Sequence, residues 1–186
     1  SRGQDVEPAG RPGIAGFQFG DEVHHLVVGG DARPAGLQID GQHPTGRVVV
    51  EMKGADHVFH ILDNQAWDHL DAQAALRALE GVEPAGLYAG TLVQRSPASR
   101  ATVAALLGAV TTPHYVDLNL RDGQYEMPTI AASLEAADVV KVNEEELRHL
   151  VDWFVDPGKR DAAWGSESLR SATLQLMAQF GLLRLV

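Results

Sequence analysis

"VVKVNEEEL", Val139 to Leu147, is a short apolar run that stops on an asparagine and three glutamates. The run reads as a strand, and the polar residues after it read as the first turn of a helix. Asn143 can be the N-cap, and Glu146 stands three residues on, at capping-box spacing. There the cap side chain accepts from the N3 backbone N–H while the N3 carboxylate reaches back to the cap's own N–H. Carboxylates in the first turn also complement the positive end of the helix dipole, and the cap stabilises the helix by about 1 kcal/mol. This local account needs no ligand. Yet both residues also lie at the carboxyl end of a strand, where a carboxylate can hold a hard cation with its waters. The two roles are compatible.

The same alternation extends to both sides. Upstream, "GLYAGTL" (Gly86 to Leu92) and "HYVDLNL" (His114 to Leu120) read as buried strands. "SPASRATVAALLG" (Ser96 to Gly108) reads as a helix with serine at the N-cap, Pro97 at the first helical position and Gly108 past its end. "MPTIAASLEAA" from Met127 is the next helix; after Leu147 the chain forms a longer helix, "SESLRSATLQLMAQFG", that runs into "LLRLV". A helix is also expected from Asp68 to Glu80, with an aspartate as N-cap and Gly81 to end it. Strands separated by helices of this length imply right-handed crossovers and a mainly parallel sheet with both faces covered. The fold class is α/β.

The amino-terminal part is organised differently. Residues 1–46 read as irregular, with short strands only at "LVVGG" and "LQID". Residues 47–62 hold two β-rich runs, "RVVVEM" and "HVFHI", joined by the turn-forming "KGAD" around Gly54, which predicts a hairpin. Residues 63–186 form the α/β core, within one domain overall. The chain begins at Ser1 rather than methionine and stops at Val186 inside what reads as a buried strand, so an incomplete fold, a fragment, is expected.

Composition narrows the function classes. The 186 residues are 45% hydrophobic, enough for one sizeable core. Fifteen Lys and Arg against 25 Asp and Glu leave a formal charge of -10, which argues against nucleic acid as a partner. Without cysteine there are no disulfides, zinc thiolates or thiol nucleophiles, which fits a cytoplasmic protein. No stretch is apolar enough to span a bilayer and no signal peptide is evident, so no membrane association is expected. No Walker phosphate loop and no G-x-S-x-G elbow is present.

In open parallel sheets, ligands bind beyond the carboxyl ends of the strands. Three polar sets stand there. Gln94 and Arg95 precede a helix amino terminus, where an anion is favoured, although a solvated turn is the simpler reading. Asp117, Asn119 and Arg121 alternate along an apolar strand and so are expected on one face, where an arginine fork suits a carboxylate or phosphate. The alternative is an Asp117–Arg121 ion pair at the strand end. Asn143 and Glu146 are the third set.

Taken in order, "HPTGRVVVEM", "DNQAWDHL", "YAGTLVQRS", "DLNLR" and "VVKVNEEEL" resemble the ribokinase-like (pfkB-type) carbohydrate kinases, especially their fructokinase-like branch. The likeness runs from about His43 to Val186. It implies an α/β sheet with a small β lid and transfer of the γ-phosphoryl group of ATP, with Mg2+, to a hydroxyl of a fructose-like sugar or keto sugar acid. By that resemblance the hairpin is lid material and a possible homodimer contact, and Asn64 and Arg121 bind the substrate. Asp117, Asn119, Asn143 and Glu146 handle nucleotide and phosphate, and Glu146 meets the metal through water. The family's glycine-rich sugar segment is not found in the first forty residues. Its Gly-Ala-Gly-Asp segment, which carries the catalytic base, is also missing, so no base is assigned and little activity is expected of this chain alone. Two alternatives stand beside this reading: a non-catalytic binding or dimerisation module derived from the fold, and a nucleoside kinase of the same superfamily.

Overall fold

The structure, a computed structural model, describes residues 36–53, 56–158 and 164–186, and the strands at 13–15, 17–19 and 22–24. In chain order these strands are β1 (Gly13–Ala15), β2 (Phe17–Phe19) and β3 (Glu22–His24), followed by β4 (Gln38–Asp40), β5 (Val48–Lys53) and β6 (Asp56–Ile61). A 3-10 turn at Ala66–His69 leads to α1 (Ala72–Ala78) and β7 (Leu87–Gly90), and a second one at Leu92–Arg95 leads to α2 (Pro97–Ala109). The rest is β8 (His114–Asp117), α3 (Met127–Ala136), β9 (Val139–Lys141), α4 (Glu144–Phe154), α5 (Ser166–Phe180) and β10 (Arg184–Leu185). The strand expected at "LVVGG" and the turn around Gly54 lie outside the described residues. The stretch read as irregular contains β1 to β4, with β1 antiparallel to β4 and β2 antiparallel to β3.

The expected parallel sheet is present. β7, β8, β9 and β10 pair in parallel in their sequence order, and β5 and β6 form the expected antiparallel hairpin. The main core lies between this sheet and α3 to α5, where Leu118, Ile130, Leu134, Val140, Leu150 and Leu176 are wholly buried. Each such leucine or isoleucine contributes about 1.5–3 kcal/mol. A second cluster, Ala75, Leu87 and Leu106, joins α1 and α2 to β7.

Four expectations are corrected. Both sheet faces were expected to be covered, but Tyr88 and Tyr115, cross-strand partners on one face, are each 43% exposed. Each crossover steps to the next strand in the same direction, so connections of one hand gather the helices on the opposite face. The last strand was expected to be buried, but in β10 Arg184 is exposed and Leu185 half-buried, because β10 is the edge of the sheet in this chain. The helix expected from Asp68 starts later: Asp71 is the N-cap, its side chain accepting from the Ala74 N–H at 2.6 Å, while Asp68 lies in the preceding 3-10 turn. Ser96 caps α2 and Pro97 lies in its first turn, as expected, but Gly108, expected past the end, lies inside the helix, which runs to Ala109.

Candidate functional site

The helix that follows β9 starts as the local pattern requires. The Asn143 side chain accepts from the Glu146 N–H at 2.9 Å, and the Glu146 carboxylate accepts from the Asn143 N–H at 2.9 Å. Glu146 also does something the local pattern does not contain. It is only 5% exposed, and its other oxygen accepts from the Leu120 N–H at 2.7 Å. The cap is thus a cross-link between α4 and the segment after β8. Among the described residues it makes no ion pair, and its carboxylate is met by backbone N–H groups.

The segment after β8 departs from the expected strand. β8 ends at Asp117, and Asn119 has φ 38°, in the left-handed region that asparagine tolerates better than most residues. The two-residue alternation therefore breaks, and Asp117, Asn119 and Arg121 do not share one strand face. Asp117 is buried, accepting from the Tyr88 hydroxyl at 2.7 Å and from Lys141 Nζ at 3.1 Å. Its ionic partner is Lys141, not Arg121. Burial, reinforced by the Asp117 carboxylate, raises the pKa of the Tyr88 phenol far above its ordinary value. Arg121 is exposed and, among the described residues, bonds only its neighbour's carbonyl, Leu120 O, at 3.2 Å.

After β7, Gln94 and Arg95 are not a solvated turn. Gln94 is 6% exposed and donates to Gly90 O at 3.0 Å and Ser133 Oγ at 3.1 Å. The Arg95 guanidinium grips Asp68 with both forks, Nε to Oδ1 at 2.7 Å and Nη2 to Oδ2 at 2.6 Å, and lies over the Trp67 ring. Asp68 also accepts from the Gln65 N–H at 2.9 Å. The turn carrying Asp68 is docked onto the start of α2, where Ser96 and Ser99 donate to Asp68 O and Trp67 O, each at 2.6 Å. A Cβ on Gly46 would stand 2.3 Å from the Trp67 ring, so only glycine fits there. The pairing of Asp68 with Arg95 is what the sequence reading missed. The available signal was the capping-type spacing of Gln65 and Asp68, obscured by assigning Asp68 to a helix start.

Asn64 is exposed and also left-handed, at φ 57°. Its side-chain oxygen accepts from His69 Nε2 at 2.7 Å; the His69 ring stacks on His43 with centroids 3.5 Å apart, and His43 Nδ1 donates to Asp40 at 2.7 Å. The Asp40 carboxyl is held down at about 2, chiefly by the Gln42 N–H and then by His43.

Three strand ends thus lie side by side. The Thr91 hydroxyl after β7 donates to Leu118 O, and Leu120 N–H binds Glu146, so the segments carrying Asp117, Asn119, Arg121, Asn143 and Glu146 are tied together. Asn64 is reached only indirectly, through the Arg95 cluster. Among the described residues no three His, Cys, Asp or Glu side chains form a metal cage, and no helix is long and apolar enough to cross a membrane. A single buried carboxylate at a strand end suits a cation that keeps its waters and substrate phosphates, not one wholly caged by protein.

No family model matches the chain. No curated protein matches it either. Among solved structures, the chain is similar to an uncharacterized sugar kinase from Pyrococcus horikoshii, crystallised in complex with ATP, at 28% identity and TM-score 0.54, over 63% of this chain and 41% of that one. A second structure of that kinase gives the same identity and TM-score and is covered over 43% of its length. A PfkB protein from Polaromonas sp. JS666 overlaps 74% of this chain and 46% of its own at 20% identity and TM-score 0.49. The chain therefore spans less than half the length of these kinases. Over the part that the sugar kinase shares with it, this chain has that kinase's ribokinase-like fold, an α/β fold with a parallel sheet flanked by helices.

Proposed function

We propose that this chain is part of an ATP-dependent sugar kinase of the cytoplasm, which transfers the γ-phosphoryl group to a hydroxyl of a fructose-like sugar or keto sugar acid and has little or no activity as the present chain alone. The observation that carries the reading is the likeness to a sugar kinase that binds ATP. Phosphoryl transfer asks a protein for positioning and charge neutralisation more than for covalent help, and the strand ends supply groups of that kind. Arg121 would take an anionic or hydroxyl-bearing substrate group, and Asn64 would approach the sugar from the hairpin side. Asp117, Asn119 and Asn143 would order the phosphates. Glu146, negative and without a cationic partner among the described residues, would hold Mg2+ through water; the ion would supply charge neutralisation on the phosphates. A coupled ADP-release assay across several hexoses tests this. Turnover by this chain near the ~10 per second typical of enzymes would defeat the prediction of low activity. In the whole protein, unchanged magnesium-nucleotide affinity on Glu146→Gln would defeat the role of that glutamate.

A second reading, a dimerisation module, is favoured by the hairpin. Val48, Val50 and Met52 fall on one face of β5, with Phe59 directly across from Val50, and they are 49%, 49%, 66% and 60% exposed. Such an apolar strand pair is a natural contact for a second copy. Light scattering separates the readings: an assembly module associates without sugar, and Phe59→Asp abolishes that association.

A further inference from the structure

We infer that Arg95 is a positioning residue that holds the base of the β5–β6 hairpin and the loop after β8 in one geometry, so that a displacement of either is passed to the other. One guanidinium joins chain segments far apart in sequence. Beyond its double bond to Asp68, Nη2 donates to Leu62 O at 2.7 Å and Nη1 donates to Gln124 Oε1 at 2.5 Å. Asp63 Oδ1, beside Leu62, lies 3.6 Å away. Leu62 closes the hairpin, its N–H bonded to Arg47 O at 3.2 Å. Gln124 belongs to the loop that carries Asn119 and Arg121.

The geometry explains why this is more than a buried ion pair. The Arg95 side chain is 9% exposed and that of Asp68 is 6% exposed, and Asp68 is itself tethered through its turn to α2. The guanidinium is therefore fixed to the core by one edge and by the Trp67 face. Its remaining donors each reach a different segment at the periphery. Five donors in a rigid plane transmit direction as well as charge; a lysine ammonium at the same place could keep the pairing with Asp68 but could not span Leu62 O and Gln124 together. The functional meaning rests on the kinase reading above, in which the hairpin covers the sugar and the loop faces the phosphates. The mechanical link does not.

Hydrogen exchange of backbone amides read by mass spectrometry tests the link on the chain as it stands. Gln124→Ala removes the loop's acceptor, and among the described residues no hydrogen bond joins Gln124 to the hairpin. It is expected to raise exchange several-fold in the 60–64 segment as well as in 119–125, and Gln124→Glu, which keeps an acceptor for the guanidinium, is expected to restore both. Arg95→Lys should accelerate both segments while the tryptophan near-ultraviolet signal reports an intact fold. If Gln124→Ala changes the loop alone, with 60–64 exchanging as in the wild type, the inference is overturned. Adding MgATP and D-fructose to the whole protein tests the kinase reading separately: if exchange at 119–125 is not slowed there, that reading fails while the Gln124 result on the present chain still decides the link.

Discussion

Asp68 and Glu146 are the same kind of group in two settings. Each is a carboxylate 5% exposed, and each closes a turn by accepting from the N–H three residues before it, Gln65 for one and Asn143 for the other, both at 2.9 Å. They part at the second partner. Asp68 meets a cation, Arg95, and its charge is cancelled inside the protein. Glu146 meets a second neutral N–H, that of Leu120, and among the described residues no cation cancels its charge. A cancelled charge serves architecture, since it draws no further ion; an uncancelled one at a strand end leaves a field that a hydrated cation can answer. Burial alone does not distinguish these two carboxylates, whereas the charge of their partners does.

The sharpest test of that contrast is Asp68→Ala, which leaves the Arg95 guanidinium buried without its counter-charge. We expect a loss of about 3–5 kcal/mol in denaturant unfolding, the usual cost of removing one member of a buried pair. A loss below about 1 kcal/mol, as for an exposed pair, would put Asp68 and Glu146 back in one category. Glu146→Gln should cost less, about 1–3 kcal/mol, because the new amide turns an NH2 toward one of the two backbone donors. No change on that substitution would mean that the Leu120 contact is dispensable. Asn143→Ala, which removes only the cap acceptor, should cost about 1 kcal/mol and leave the loop after β8 in place.

The smallest effect concerns Tyr88. Its phenol is partly buried against Asp117, which raises the folded-state pKa well above the ordinary 10.0. Because the folded value is the higher one, this contribution is whole below pH 10.0 and declines as pH rises beyond it, where the unfolded chain ionises and the folded one does not. The stability advantage of wild type over Tyr88→Phe should therefore shrink with alkalinity, and a constant difference would refute the assignment.

Much of this was legible in the residues, for identifiable reasons. Ser96 with Pro97, Asn143 with Glu146, and the alternation of apolar runs with helices are short-range patterns whose partners lie within one turn, and they are present where expected. The sheet-level errors share another cause. Asn119 was placed on a strand face by periodicity, yet one left-handed residue ends the alternation. Gln94 and Arg95 looked like surface residues because nothing near them in sequence reveals Ser133 or Asp68, 39 and 27 positions away.

The sequence alone settled what depends on neighbours along the chain: the α/β class, the hairpin, the amino-terminal caps of α2 and α4 and the residues set at the strand ends. Local propensity and hydrogen bonding within a turn are enough for these. Which carboxylate is neutralised, which sheet face stays open and which arginine ties the hairpin to the loop were decided in three dimensions. They depend on charges and donors brought together by packing, and sequence spacing carries no information about which of them meet.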